Sequence, residues 1–188
     1  DTYTADSEPP ELVAFSLNMT SATLWLQFSE AVNVSTVNPA EIVLQAFATP
    51  LPVGYDSAYA SHPPQGDGVV QLTGGVVYGG DIETYPTWPS AVEVSIDILK
   101  VDLDNIKRDV ALASSLDTTY MSHSSSFLKD MSAFSIVPTP VNATDVTLAA
   151  SAFFPDTISP QLLAFEVSMN ETDSVSAPVM LLSMYFSE

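Results

Sequence analysis

The 188-residue chain has no cysteine, so neither a disulfide nor a thiolate centre contributes to its stability or chemistry. Basic residues are nearly missing too. Lys100, Lys107, Arg108 and Lys129 are the whole set, against 23 acidic residues and a net charge of −19. All four lie between positions 100 and 129, and the rest of the chain is purely acidic. Such a field repels phosphate backbones and anionic headgroups, so nucleic acid and anionic lipid are not expected partners. No run approaches the roughly 18 apolar residues of a spanning helix, so no membrane insertion is expected. The sequence opens at Asp1 without a basic-then-apolar leader and reads as a mature N-terminus.

Cues for catalysis are also lacking. The histidines, His62 and His123, both sit among serine and proline and read as loop residues. Gly-x-Ser-x-Gly, His-Glu-x-x-His and Gly-x-x-x-x-Gly-Lys are absent. No sequence feature pairs two carboxyls for glycoside chemistry. The expectation is a protein that is not an enzyme and holds no catalytic cofactor.

What is present points to sheet. The apolar fraction is 46% and charged residues make up only 14%, enough apolar surface for a core despite the net charge. Serine and threonine supply the polarity, 40 of 188 residues. They compete with helical backbone bonds and suit the outer faces of sheets. Leu24, Leu26 and Phe28 alternate with Trp25 and Gln27; Val92, Val94, Ile96 and Ile98 alternate with Glu93, Ser95 and Asp97. Further strands are expected at 12–17, 41–46, 69–72, 75–78, 133–137 and 146–153, with Thr73-Gly74-Gly75 as a tight turn. Prolines 50, 52, 63, 64, 86 and 89 break the middle of the chain into loops. One amphipathic helix is expected over 102–112, with Asp102 as a candidate N-cap and Leu103, Ile106 and Val110 on its apolar face. Many short strands with one short helix predict an all-β, antiparallel β-sandwich.

Four of the six asparagines head N-glycosylation sequons: Asn18, Asn33, Asn142 and Asn170. Chance placement would give about one. N-linked glycans, and hence a secreted or cell-surface location, are the expectation. Serine-, threonine- and proline-rich clusters at 61–64, 122–126 and 138–140 suit either O-glycans or ordinary loops. Calcium is the one ion worth considering, since hard cations take clustered oxygens. Its candidate ligands are Asp102, Asp104, Asn105 and Asp109, although a capped helix start explains the same residues. Asp6, Glu8 and Asp156 at module junctions are a second possibility.

The chain also repeats itself. Pro10, Leu12, Ala14, Phe15 and Met19 recur 150 positions later as Pro160, Leu162, Ala164, Phe165 and Met169. Leu24-Trp25-Leu26-Gln27-Phe28-Ser29-Glu30 is echoed by Leu182-Ser183-Met184-Tyr185-Phe186-Ser187-Glu188, at an offset of 158. The expected organisation is a linker at 1–7, a sandwich module at 8–155, a linker at 156–160 and the first two strands of a second module at 161–188. Two strands alone are marginal in water. Leu162, Phe165, Val167, Leu182, Met184 and Phe186 are therefore expected to form an assembly surface.

Residues 9–17 and 24–39, with their Pro-led first strand and their Phe-Ser-Glu and Ser-Thr-x-Asn segments, resemble the opening of immunoglobulin-like tandem modules. Such modules occur in bacterial surface-layer proteins and in long extracellular proteins of algae and other protists. The 102–107 segment and Phe154-Pro155-Asp156 resemble the protist arrays too. The resemblance implies an immunoglobulin-like fold and a role in surface fibres of the mastigoneme type, whose proteins also carry cysteine-rich segments absent here. The expected function is a structural subunit of a secreted, N-glycosylated extracellular filament. It would assemble head-to-tail with copies of itself or with adjacent modules. The alternative is a cell-surface adhesin or carbohydrate-binding module using Trp25, Tyr78, Tyr85 or Trp88.

Overall fold

The computed structural model describes residues 6–49, 68–79, 90–139, 146–170 and 179–187. The loop prolines of the middle segment, His62, Tyr85, Trp88 and Asn142 lie outside them. The chain divides into two compact units, Asp1–Asp156 and Thr157–Glu188. The protein is mostly β-sheet, arranged in several sheets compatible with an all-β sandwich.

In the first unit, β1 (Leu12–Asn18), β2 (Thr23–Asn33), β5 (Gly75–Gly79), β6 (Ser90–Ile98) and β9 (Ala152–Phe154) form a five-stranded sheet in the order β5-β6-β2-β1-β9. A four-stranded sheet follows the order β4-β3-β7-β8, from Val69–Gln71, Ile42–Gln45, Tyr120–His123 and Leu148–Ala149. Phe15, Leu17, Leu24, Leu26, Val94 and Ile96 of the first sheet share one buried cluster with Ile42, Leu44 and Met121 of the second. Each such side chain stabilises the fold by roughly 1.5–3 kcal/mol when removed from water. Among the described residues the strand pairings of this unit are antiparallel except that of β9, which runs parallel to β1.

Two bulges set which side chains reach the core. On β1, Leu12 faces Phe28 and Ala14 faces Gln27, so β1 carries an extra residue. Leu12 and Phe15 consequently both point inward although three positions separate them. Between β2 and β6 the register slips from Gln27↔Glu93 to Val32↔Ala91. That slip breaks the expected four-residue stripe: Val94, Ile96 and Ile98 are buried while Val92 is exposed.

The structure changes several other expectations. Thr73-Gly74-Gly75 does not close a hairpin, because β4 and β5 belong to different sheets and the segment carries the chain across the sandwich. Gly75 is required by that crossing, since a Cβ there would lie 2.6 Å from Cγ2 of Ile96 and 3.0 Å from the Asp97 carbonyl. The expected strand at 146–153 is two strands in different sheets, β8 and β9, with Ser151 donating its N–H and its hydroxyl to the Phe15 carbonyl between them. The segment 133–137 is a loop with a bridge from Lys129 to Ser135, and Ala133 has φ +70°. Helix α1 spans Lys100–Arg108, with Leu99 rather than Asp102 at its N-cap. It buries Ile106, while Val110 falls beyond its end and is exposed.

The second unit contains β10 (Leu162–Asn170) and β11 (Val179–Phe186), an antiparallel pair. Leu162 faces Phe186 and Ala164 faces Tyr185, so the bulge falls where β1 has its own. The closing hydrogen bonds correspond as well. In the first hairpin Glu11 N–H donates to Ser29 Oγ and Ser29 N–H to the Glu11 carbonyl, at 2.9 Å each. In the second, Gln161 N–H donates to Ser187 Oγ at 3.0 Å and Ser187 N–H to the Gln161 carbonyl at 2.9 Å.

Candidate assembly surface and candidate sites

Leu162 and Phe186, Phe165 and Met184, and Val167 and Leu182 stand directly opposite one another in the second hairpin. Cross-strand partners share a face, so the register gathers all six expected assembly residues on one side. Their exposures run from 49% to 65%, whereas Leu12, Phe15, Leu17, Leu24, Leu26 and Phe28 of the first hairpin are at most 8% exposed. The same pattern is a core in one unit and an open apolar surface in the other. Leu163, Leu181 and Tyr185 are exposed as well.

The sequons are placed unevenly. Asn18 ends β1, where its Oδ1 accepts the N–H groups of Thr20 and Ser21. Asn33 ends β2 and caps the short 3-10 turn Val34–Thr36, its Oδ1 accepting Ser35 N–H and, at 2.7 Å, the Ser35 hydroxyl. Both engage the carboxamide oxygen in a turn. Asn170 closes β10, but its side chain lies outside the described residues, as does all of Asn142.

The four calcium candidates on and after the helix are not brought together. Asp102 is fully buried and accepts the Thr73 N–H at 2.8 Å and the Thr73 hydroxyl, anchoring the crossing between sheets. Asp109 accepts the N–H groups of Gly68 and Ala111. Asp104 pairs with Lys100 at 3.0 Å, and Asn105 accepts from Arg108. Each oxygen set thus has a structural use of its own. Asp156 pairs with Lys107 at 2.7 Å. That pair borders a cleft of about 310 Å³ whose floor includes Met19, Ile106, Leu112 and Phe153.

Other acidic residues do converge. One carboxylate oxygen from each of Asp6, Glu30 and Asp130 lies within 4.8 Å of the other two. They come from the segment before β1, from β2 and from the loop after Leu128. Glu30 has its pKa raised by partial desolvation and then by the Asp6, Asp130 and Glu8 carboxylates. Asp130 is 2% exposed; its Oδ1 accepts the Phe134 N–H at 2.7 Å, and its Oδ2 has no partner. Sequence reasoning placed Asp6 at a junction with Glu8 and Asp156 and missed Glu30 and Asp130. These two are 100 positions apart, a separation that no local pattern reveals.

His123 is not a loop histidine. It ends β7, is buried, and its ring lies 5.2 Å from that of Phe127. Burial lowers its pKa, opposed by the contact of Nδ1 with the Ser124 carbonyl. The unfolded chain binds a proton near the ordinary value of about 6.5 and the folded chain resists it, so stability falls as pH drops from there toward the lower folded value. Urea midpoints at pH 7 and about pH 5 should differ more for the wild type than for His123→Leu. Equal differences would assign the acid loss to carboxylates alone.

Trp25 and Tyr78 lie in one cross-sheet row, each in register with Ser95, so the three share a face. Asp97 raises the Tyr78 pKa after desolvation, through its charge and a hydrogen bond. No helix among the described residues is long and apolar enough to cross a membrane. No family model, curated protein or solved structure matches the chain.

Proposed function

We propose that this chain is a structural subunit of a secreted, N-glycosylated extracellular filament or surface fibre, built from immunoglobulin-like modules that assemble head-to-tail. The observation that carries the reading is the second hairpin. It shares register, bulge and closing hydrogen bonds with β1–β2, yet leaves exposed the six positions that β1–β2 buries. In the first unit those positions are covered by Ile42, Leu44, Met121, Phe127 and their neighbours. The hairpin therefore calls for an equivalent partner layer, from an adjacent module or another copy. A head-to-tail contact of this type propagates into an open fibre when its rotation does not close. Acidic charge and glycans at Asn18 and Asn33 would keep the outer surface from pairing laterally.

Negative-stain imaging of the 188-residue chain is expected to show elongated assemblies. The same chain lacking 157–188 should give single globules that melt as one unit. Assemblies of unchanged length from the shortened chain would refute the proposal.

The Trp25–Tyr78 row favours a second reading, a carbohydrate-binding module, because aromatic faces on a sheet suit sugar rings. Glycan-array binding lost in Trp25→Ala, with assembly intact, would support that reading instead.

A further inference from the structure

We propose that Asp6, Glu30 and Asp130 form a binding site for a divalent cation, calcium in preference to magnesium, that fastens the segment before β1 to the body of the first unit. The inference stands on the first unit alone and is independent of how the second hairpin is used.

The geometry fits the ion. Calcium takes oxygen ligands at about 2.3–2.6 Å, so ligands on opposite sides of it lie up to about 5 Å apart. The three carboxylate oxygens fall within 4.8 Å of one another. They come from three separate segments, which suits calcium's irregular coordination better than the strict octahedron of magnesium. The oxygens keep spare capacity. Among the described residues Asp6 Oδ1 accepts only the Glu8 N–H and Oδ2 the Ser132 hydroxyl, each at 3.2 Å, and a carboxylate oxygen has lone pairs for more than one partner.

Asp130 supplies the second, independent argument. A buried polar atom without a partner carries the full cost of desolvation, and a buried carboxylate carries more. The turn at 130–134 needs one side-chain oxygen, to hold the Phe134 N–H. Asparagine would provide that without charge. The second oxygen, Oδ2, is buried and unbonded, and the turn gives it no purpose. A cation does. Protein cations do not fill the role: Lys100 pairs with Asp104 and Lys107 with Asp156, Arg108 bonds Asn105, and among the described residues Lys129 forms no ion pair.

The sequence repeats two of the three ligands. Asp6 recurs as Asp156 at the offset of 150, and Glu30 as Glu188 at the offset of 158, following the same two offsets as the strands. Asp130 has no counterpart within these residues.

The test is a thermal titration of the chelator-treated chain with calcium chloride, at constant ionic strength. Affinities of extracellular calcium modules lie at about 10⁻⁴–10⁻³ M, so 10 mM calcium should raise the melting temperature by roughly 3–11 °C, saturably. Magnesium should give less, and calorimetric titration should give one ion per chain. Asp130→Asn keeps the oxygen that holds Phe134 and should remove the calcium shift while melting cooperatively. Glu30→Gln, at a half-buried position, provides the same test where Asp130→Asn does not fold. No shift in the wild type, or equal shifts in wild type and variant, would overturn the proposal. In the latter case calcium would be acting only on the net charge.

Discussion

Phe15→Ala is expected to destabilise the first unit by about 3–5 kcal/mol, while Phe165→Ala leaves its melting unchanged. The two phenylalanines hold the same place in two hairpins of matching register. Phe15 is fully buried and Phe165 is 65% exposed. Truncating Phe15 removes a ring from between the two sheets and leaves a cavity that Leu26, its register partner, and the facing strands cannot fully close. Truncating Phe165 removes a ring from water. Urea denaturation of the two variants beside the wild type measures the contrast. Equal losses would mean that Phe165 is already packed in the isolated chain, and the hairpin would not be an open surface.

The second large effect is on association. Phe165→Asp combined with Met184→Asp places two carboxylates at a directly opposed pair in the middle of the apolar face. Docking against a layer like that over β1–β2 would bury both charges without partners, at several kcal/mol each. Self-association should weaken by more than about 100-fold. The first unit should melt as in the wild type, because both substitutions lie in Thr157–Glu188. A change in the first unit's melting would show instead that the hairpin supports it.

Apolar runs and alternation made β1 to β6 legible in sequence, most cleanly β2, where Leu24, Leu26 and Phe28 are buried between partly exposed neighbours. What alternation could not show was the effect of bulges. Val92 looks like a core residue until the register slip between Gln27 and Val32 turns it outward. Strand β7 was hidden because Tyr120-Met121-Ser122-His123 reaches the core with a methionine and a histidine, in a serine-rich stretch that reads as loop. Asp102 has the local look of a helix cap, and only the tertiary structure reveals that its carboxylate holds Thr73, 29 residues earlier. The exposed apolar face of the second hairpin was legible because the repeat carried over the inward positions of the first. The acidic triad was not, since its members meet only after β2 and the 129–135 loop have packed beside the segment before β1.

Sedimentation velocity of the 188-residue chain over about 1–100 µM, beside the Phe165→Asp, Met184→Asp variant, tests the central claim most directly. The account predicts a sedimentation coefficient that rises with concentration for the wild type and stays at the monomer value for the variant. A wild type that remains monomeric throughout, or a variant that associates equally well, would contradict it.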